Sequence, residues 1–319
     1  MAEHDNDQSN RRRPLKVGLI LPHWEAGMSG KTPGWSDITE MAQLAEDIGF
    51  DSLWLVDHFL NPYKYRGEDK VQGFWDCWTI LPALAATTKH AELGTLVTCT
   101  GFRNPALMAK MADTVDEISG GRLILGIGAG WNEYEYRAFG YPYDHRVSRF
   151  EEALTIIHGL LHDGHVDFHG KYYEASDCEL RPRGPRPGTL PIMIGSSSER
   201  MLGLTARYAD SWNRWLVYGR SHPDQIPAAR EKVDAACHTA GRVPGTLDRT
   251  ASIQVDLKGT PDPQGNKQAL SGSVEQIAET IRAFADEGIS HIQIMLRPNT
   301  PEAIEQLAGV LEILDRGER

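Results

Sequence analysis

The sequence predicts an α/β fold, a (β/α)8 TIM barrel with one insertion after the fourth helix. Three observations predict it. Eight short apolar runs alternate with eight longer amphipathic segments across residues 15–315. The runs are apolar on both faces, as parallel strands covered by helices should be. No glycine fingerprint follows the first run, which ends in Pro22-His23-Trp24-Glu25. A doubly wound sheet, the alternative, would want its phosphate-binding turn at that place.

Each element has its own justification. KVGLIL (16–21) is the first strand. In 36–48, Ile38, Met41, Ala42, Leu44, Ala45 and Ile48 share one helical face, and Gly49 closes the helix. SLWLVD (52–57) is the second strand, followed by a helix over 76–88, a strand over 91–98 and a helix over 105–118 stopped by Gly120-Gly121. RLILGIG (122–128) and a helix over 146–161 make the fourth unit. The rhythm then breaks at 163–190, where HVDFHGKYYEA alternates around His169-Gly170 as a hairpin does. PIMIG (191–195) restarts the pattern with a helix over 198–208, and ADSWNRW (209–215) is the sixth strand, followed by a helix over 224–240. The strand 249–256, helix 273–287, strand 291–296 and helix 301–315 complete the ring.

Composition bounds the function. The 319 residues are 40% hydrophobic and 24% charged, an ordinary globular balance. A net charge of −11 argues against nucleic acid or an anionic membrane as the main partner. No run approaches the roughly 18 apolar residues of a membrane span. The spacing of Cys77, Cys99, Cys178 and Cys237 matches neither a zinc pattern nor a redox pair, which suits a reduced, cytoplasmic protein. Residues 1–14 are expected to be a frayed polar tail, and 15–319 a single domain with its insertion at 163–190.

Side chains at the C-terminal ends of barrel strands converge on one mouth, where active sites lie. Those ends supply His23, Trp24 and Glu25, then Asp57, His58 and Phe59, then the run Val97–Asn104. Later strands supply Gly126, Gly128, Gly130, Trp131 and Asn132, then Gly195 with Ser196, Ser197 and Ser198, then Trp212, Asn213 and Trp215, and finally Arg297. Rings, glycines and hydroxyls in that setting suit a large flat ligand carrying a phosphate. The Gly195–Ser198 turn opens a helix, and free N–H groups there favour an anion. His58 beside Asp57 is the expected proton carrier. His162, His165 and His169 flank the hairpin without reason to converge, so no metal is expected. The rim also carries basic residues, Lys64, Arg66, Arg103, Arg200, Arg214 and Arg297.

The stretch VTCTGFRNPALMAKMADTVDEISGGRLILGIGAGWNEYEYRAFGYPY (97–143) resembles the luciferase-like monooxygenase superfamily, and within it the branch assigned to the deazaflavin coenzyme F420. The likeness extends to DSLWLVDHF (51–59), the FHGKYYEA hairpin, PIMIG and ARYADSWN (206–213). It implies a barrel, commonly dimeric, binding F420 or FMN at its mouth. It further implies that Val97, Thr98 and Cys99 support the ring, and that the peptide Leu96–Val97 is cis. Asp57, Gly128, Gly130, Tyr134, Gly195, Ser196 and Ser197 complete the expected cofactor set, with His58 as the catalytic residue. Relatives carry a glutamate soon after strand four where this chain has Trp131; Glu133 and Glu135 are nearby but offset. The expected activity is hydride transfer between F420 and a small organic substrate, by a homodimer. The alternatives are an FMN-dependent monooxygenase using oxygen and a non-catalytic flavin-binding protein. Substrate specificity is expected from the loops 60–75, 163–190 and 257–272.

Overall fold

The computed structural model describes residues 13–65, 68–259 and 268–317 of the chain. Eight parallel strands form a closed ring: β1 (Lys16–Ile20), β2 (Ser52–Leu55), β3 (Glu92–Thr95), β4 (Leu123–Gly128), β5 (Ile192–Gly195), β6 (Ser211–Trp215), β7 (Asp248–Asp256) and β8 (His291–Arg297). Leu19 pairs with Ile294 and Ile127 with Ile194, so neither β1 nor β5 is left as an edge. The fold is the expected (β/α)8 barrel. The insertion is an antiparallel hairpin, His165–His169 with Glu174–Glu179. Its turn is held by Glu152, whose carboxylate accepts the N–H groups of Lys171, Tyr172 and Tyr173.

Four local features differ from the sequence expectations. Arg13 is part of the fold rather than of a tail: its guanidinium grips Asp315 at 2.7 and 2.8 Å and Asp51 at 3.0 Å. The remainder of the expected tail, residues 1–12, lies outside the described residues. A second hairpin, Leu60–Tyr65 with Glu68–Gly73, follows β2 directly. A seven-residue helix, Glu133–Phe139, follows β4. The last helix is divided at Leu307, where the N–H turns to the carbonyl of Ile304 in a tighter, 3₁₀-type step.

The core has two parts. Between strands and helices lies a continuous aliphatic layer. Inside the ring, Ile20, Trp54, Val56, Leu96, Met193 and Met295 form a separate plug. Trp54 fits there because Gly94, its register partner on β3, and Gly18 on β1 have no side chain. A Cβ on Gly94 would sit 2.2 Å from its ring, and one on Gly18 would sit 2.6 Å from Nε1. The indole donates to Ser52 Oγ at 2.7 Å, and Ser52 Oγ meets His291 Nε2 at 2.7 Å. A polar layer of Asn213, Thr250, Ser252 and Gln293 completes the interior. No helix among the described residues is long and apolar enough to cross a membrane.

Candidate active site

The strand ends enclose a cavity of about 740 Å³ at the C-terminal mouth. Its most constrained wall is the segment after β3. Leu96–Val97 is a cis peptide, and Thr98–Cys99 then pairs with Ile127–Gly128 of β4. Asp57 fixes this wall from beneath. Its buried carboxylate accepts the Cys99 N–H at 2.9 Å and the Cys77 thiol at 3.3 Å. Arg103 holds the same carboxylate at 2.6 and 3.1 Å and reaches Asp76 at 2.9 Å. Asp57 therefore lines the cavity, but its hydrogen bonds go to the protein.

Val97 packs against two glycines. A Cβ on Gly128 would come within 2.7 Å of its Cγ2, and one on Gly195 within 3.3 Å of its Cγ1. Gly130 has φ +69°, and a Cβ there would meet both Cys99 Sγ and Tyr136 Oη at 2.5 Å. These bare positions let Val97, Cys99 and Tyr136 pack closely against the β4 and β5 strand ends. Burial pushes the Cys99 thiol up to about 12, so it stays protonated beside Tyr136 Oη at 2.9 Å.

His58 stands at the opposite side of this wall. Its Nδ1 lies 2.8 Å from Oε1 of Glu135, whose side chain is fully buried. The other oxygen of Glu135 accepts the Phe59 N–H at 2.6 Å, and Asn132 donates to Oε1 and to the Leu60 carbonyl. A carboxylate at Nδ1 makes that nitrogen the donor. Nε2, with no hydrogen-bond partner among the described residues, is then the nitrogen free to take a proton. The rings of Phe74 and Trp131 lie 5.5 and 5.7 Å away.

On the β5 side, Gly195 and the three serines lead into the helix Glu199–Tyr208, whose N-cap Ser198 makes no side-chain capping bond. The first N–H groups of that helix therefore remain available to an anion. Arg146 comes over from the β4 side, donating to the Gly130 carbonyl at 2.6 Å above the ring of Tyr143.

The cavity thus gathers Asp57, His58, Val97, Cys99, Gly128, Gly130, Gly195, Ser196 and Ser197. It does not gather Thr98 or Tyr134. Thr98 is fully buried and accepts a hydrogen bond from Trp78 Nε1 at 3.1 Å, because successive strand residues face opposite ways. Tyr134 is one residue from Glu135 on a helix, hence about 100° away from the face that meets His58; it lies against Arg137 instead. Trp24, Trp131 and Trp215 line the cavity, whereas Trp212 is buried behind it and donates to the Ser196 carbonyl at 2.7 Å.

Of the basic rim residues, Arg103 is turned inward to Asp57 and Arg200 is paired with Glu151 at 2.6 Å. Arg297 lies 3.7 Å from Asp256 beside a separate cleft. Arg66 and the Lys64 side chain fall outside the described residues, and Arg214 lines the cavity. Among the described residues there is no group of three or more His, Cys, Asp or Glu that could hold a metal. Sequence reading missed Glu135 as the partner of His58. The signal present was the glutamate that relatives carry soon after strand four, to which Glu135 is offset on a helix too short to announce itself by periodicity.

The chain is similar to known proteins. The 5,10-methylenetetrahydromethanopterin reductase of Archaeoglobus fulgidus is 34% identical over 216 residues, which cover 67% of this chain and 59% of that enzyme. The F420-dependent glucose-6-phosphate dehydrogenase of Amycolatopsis mediterranei is 31% identical over 284 residues, covering 86% and 81%. The pyrimidine monooxygenase RutA of Caulobacter segnis is 32% identical over 244 residues, covering 72% and 66%. The family profile described as luciferase-like monooxygenase matches residues 15–262. With a barrel of this architecture and a match over most of its length, the chain belongs to the luciferase-like monooxygenase family.

Proposed function

We propose that the chain is an oxidoreductase that holds coenzyme F420 in the barrel mouth and exchanges a hydride with a small organic substrate. The observation that carries this reading is the His58–Glu135 pair, set at a cavity lined by Val97, Gly128, Gly130 and Gly195. The residues fit such a cofactor. Gly128, Gly130 and Gly195 line the cavity without side chains of their own, and the uncapped turn at Ser196–Ser198 with Arg146 suits its phosphate. When bound, the deazaflavin supplies the two-electron chemistry.

The chain's own residues do the rest. Asp57 and Arg103 hold the strand-three wall in place. Glu135 keeps the Nδ1 proton on His58, so that Nε2 gives or takes the proton that balances the hydride at the substrate. The rings of Phe74 and Trp131 stand beside that imidazole at the cavity wall. The F420-dependent relative from Amycolatopsis supports this choice of cofactor, since its match covers most of both chains.

A second reading, an FMN-dependent monooxygenase, is supported by the likeness to RutA. One experiment separates the two. Cofactor-free protein is titrated with F420 and with FMN, and turnover of a substrate panel is then followed with and without oxygen. Tighter F420 binding and oxygen-independent turnover are expected. Preference for FMN with oxygen consumption would establish the second reading, and binding without any turnover would point to a flavin carrier.

A further inference from the structure

We infer that Arg214 is the second cation of the phosphate seat, reading the cofactor's anionic end from the β6 side. The inference rests on the cofactor reading above and adds a residue to it.

Three observations converge on Arg214. First, it lines the mouth cavity, yet its guanidinium has no hydrogen bond and no carboxylate among the described residues, and Nε is buried without a partner. A part-buried guanidinium without an acceptor is costly, because it has given up water for nothing in return. Such a cation is expected where a ligand completes it.

Second, the strand geometry says where it stands. Asn213 pairs with Gly195, and Trp212 donates its Nε1 to the Ser196 carbonyl. Side chains alternate along a strand, so Arg214 is on the same face as Trp212, one step nearer the mouth. Arg214 lines the same cavity as the Ser196–Ser198 turn, which leads to the uncapped start of Glu199–Tyr208. Arg146 lines that cavity from the β4 side, so two arginines share it with the turn.

Third, the nearby carboxylates are otherwise placed. Glu151 is held by Arg200 and Arg207, and Asp144 by Arg149. Glu199 is an exposed first-turn residue of the helix. Arginine matches a phosphate with parallel N–H donors, which lysine cannot reproduce.

The test compares ligands with and without the phosphate: FMN against riboflavin, and F420 against its phosphate-free deazaflavin riboside. Affinities are measured by fluorescence for the wild type, Arg214→Gln and Arg214→Lys. Arg214→Gln is expected to weaken the phosphate-bearing member of the binding pair about 10- to 100-fold, as for a lost charge-assisted contact. The phosphate-free member should change by less than about threefold, and Arg214→Lys should recover part of the loss. Ligand-free Arg214→Gln should melt within a few degrees of the wild type, because no hydrogen bond or ion pair to the protein is removed. Equal losses for both members of a pair, or no loss for either, would overturn the role of Arg214 and leave the cofactor reading intact. A wild type that bound none of the four ligands would overturn the cofactor reading and this inference with it.

Discussion

The imidazole of His58 and the buried carboxylate of Glu135 meet at 2.8 Å through Nδ1 and Oε1. The pair decides which imidazole nitrogen is left for chemistry. In Glu135→Gln, the single amide oxygen is claimed by the Phe59 N–H. The amide nitrogen then faces Nδ1 and turns that atom into an acceptor, which moves the ring proton to Nε2. Turnover should fall by about 10²-fold or more, as when a general base is held in the wrong tautomer. Cofactor affinity should stay within a few-fold. His58→Ala should lose about 10²–10⁴-fold in rate with the same small effect on binding. Near wild-type turnover in both variants, measured under saturating cofactor, would remove His58 from the chemistry.

Arg103 is placed to act on the ring seat without touching it. Its loss in Arg103→Met would leave the Asp57 carboxylate buried without a counter-charge, a change that typically costs about 3–5 kcal/mol. Urea unfolding should register that loss. Asp57→Asn combined with Arg103→Met should destabilise less than the sum of the two single changes, since the uncompensated charge is gone.

The Ser196–Ser198 turn is predicted to bind anions by backbone N–H groups. Ser196→Asp would set a carboxylate against the incoming phosphate, and like charges brought together cost several kcal/mol. Affinity for the phosphate-bearing cofactor should drop by about 10²-fold. Unfolding free energy should shift by no more than about 0.5 kcal/mol, as at other part-exposed sites. An unchanged dissociation constant would place the phosphate elsewhere.

Acid should destabilise the barrel through its interior. Burial lowers His291 from 6.5 to about 3, and burial also lowers His23. Between those two values for His291 the unfolded chain binds a proton that the folded chain refuses. Stability is therefore fully present above pH 6.5 and declines as pH falls toward 3, by at most about 1.4 kcal/mol per pH unit for this group. His291→Gln should flatten that part of the profile, seen as a smaller fall in melting temperature from pH 7 to pH 4.5. A profile identical to the wild type would show that His291 is not among the groups responsible.

Much of this molecule was legible from residues alone, for physical reasons that also mark where legibility stopped. The barrel strands declare themselves because each is buried on both faces, as in LILGIG of β4 and HIQIML of β8. The hairpin at Leu60–Gly73 was unreadable because Pro62 and its run of charged residues blur the alternation that β-structure shows. Glu135 escaped because its meaning depends on a seven-residue helix that reaches across to His58. The resemblance puts Thr98 and Tyr134 in the ligand set, whereas the fold turns both away from the cavity. The pleat of a strand and the turn of a helix each send neighbouring residues in different directions.

The interior plug around Trp54 governs traffic. With the indole wedged between Gly18 and Gly94, and Val56, Leu96 and Met295 above it, the ring offers no passage from below. Among the described residues, the open side of the site is the C-terminal mouth. On the proposed reading, a planar cofactor laid against the Val97 wall would occupy the lower ground, and a substrate reaching His58 would settle over it. Addition should therefore be ordered, cofactor first and substrate second, with release in reverse. Product-inhibition patterns competitive in one ligand alone would display that order directly.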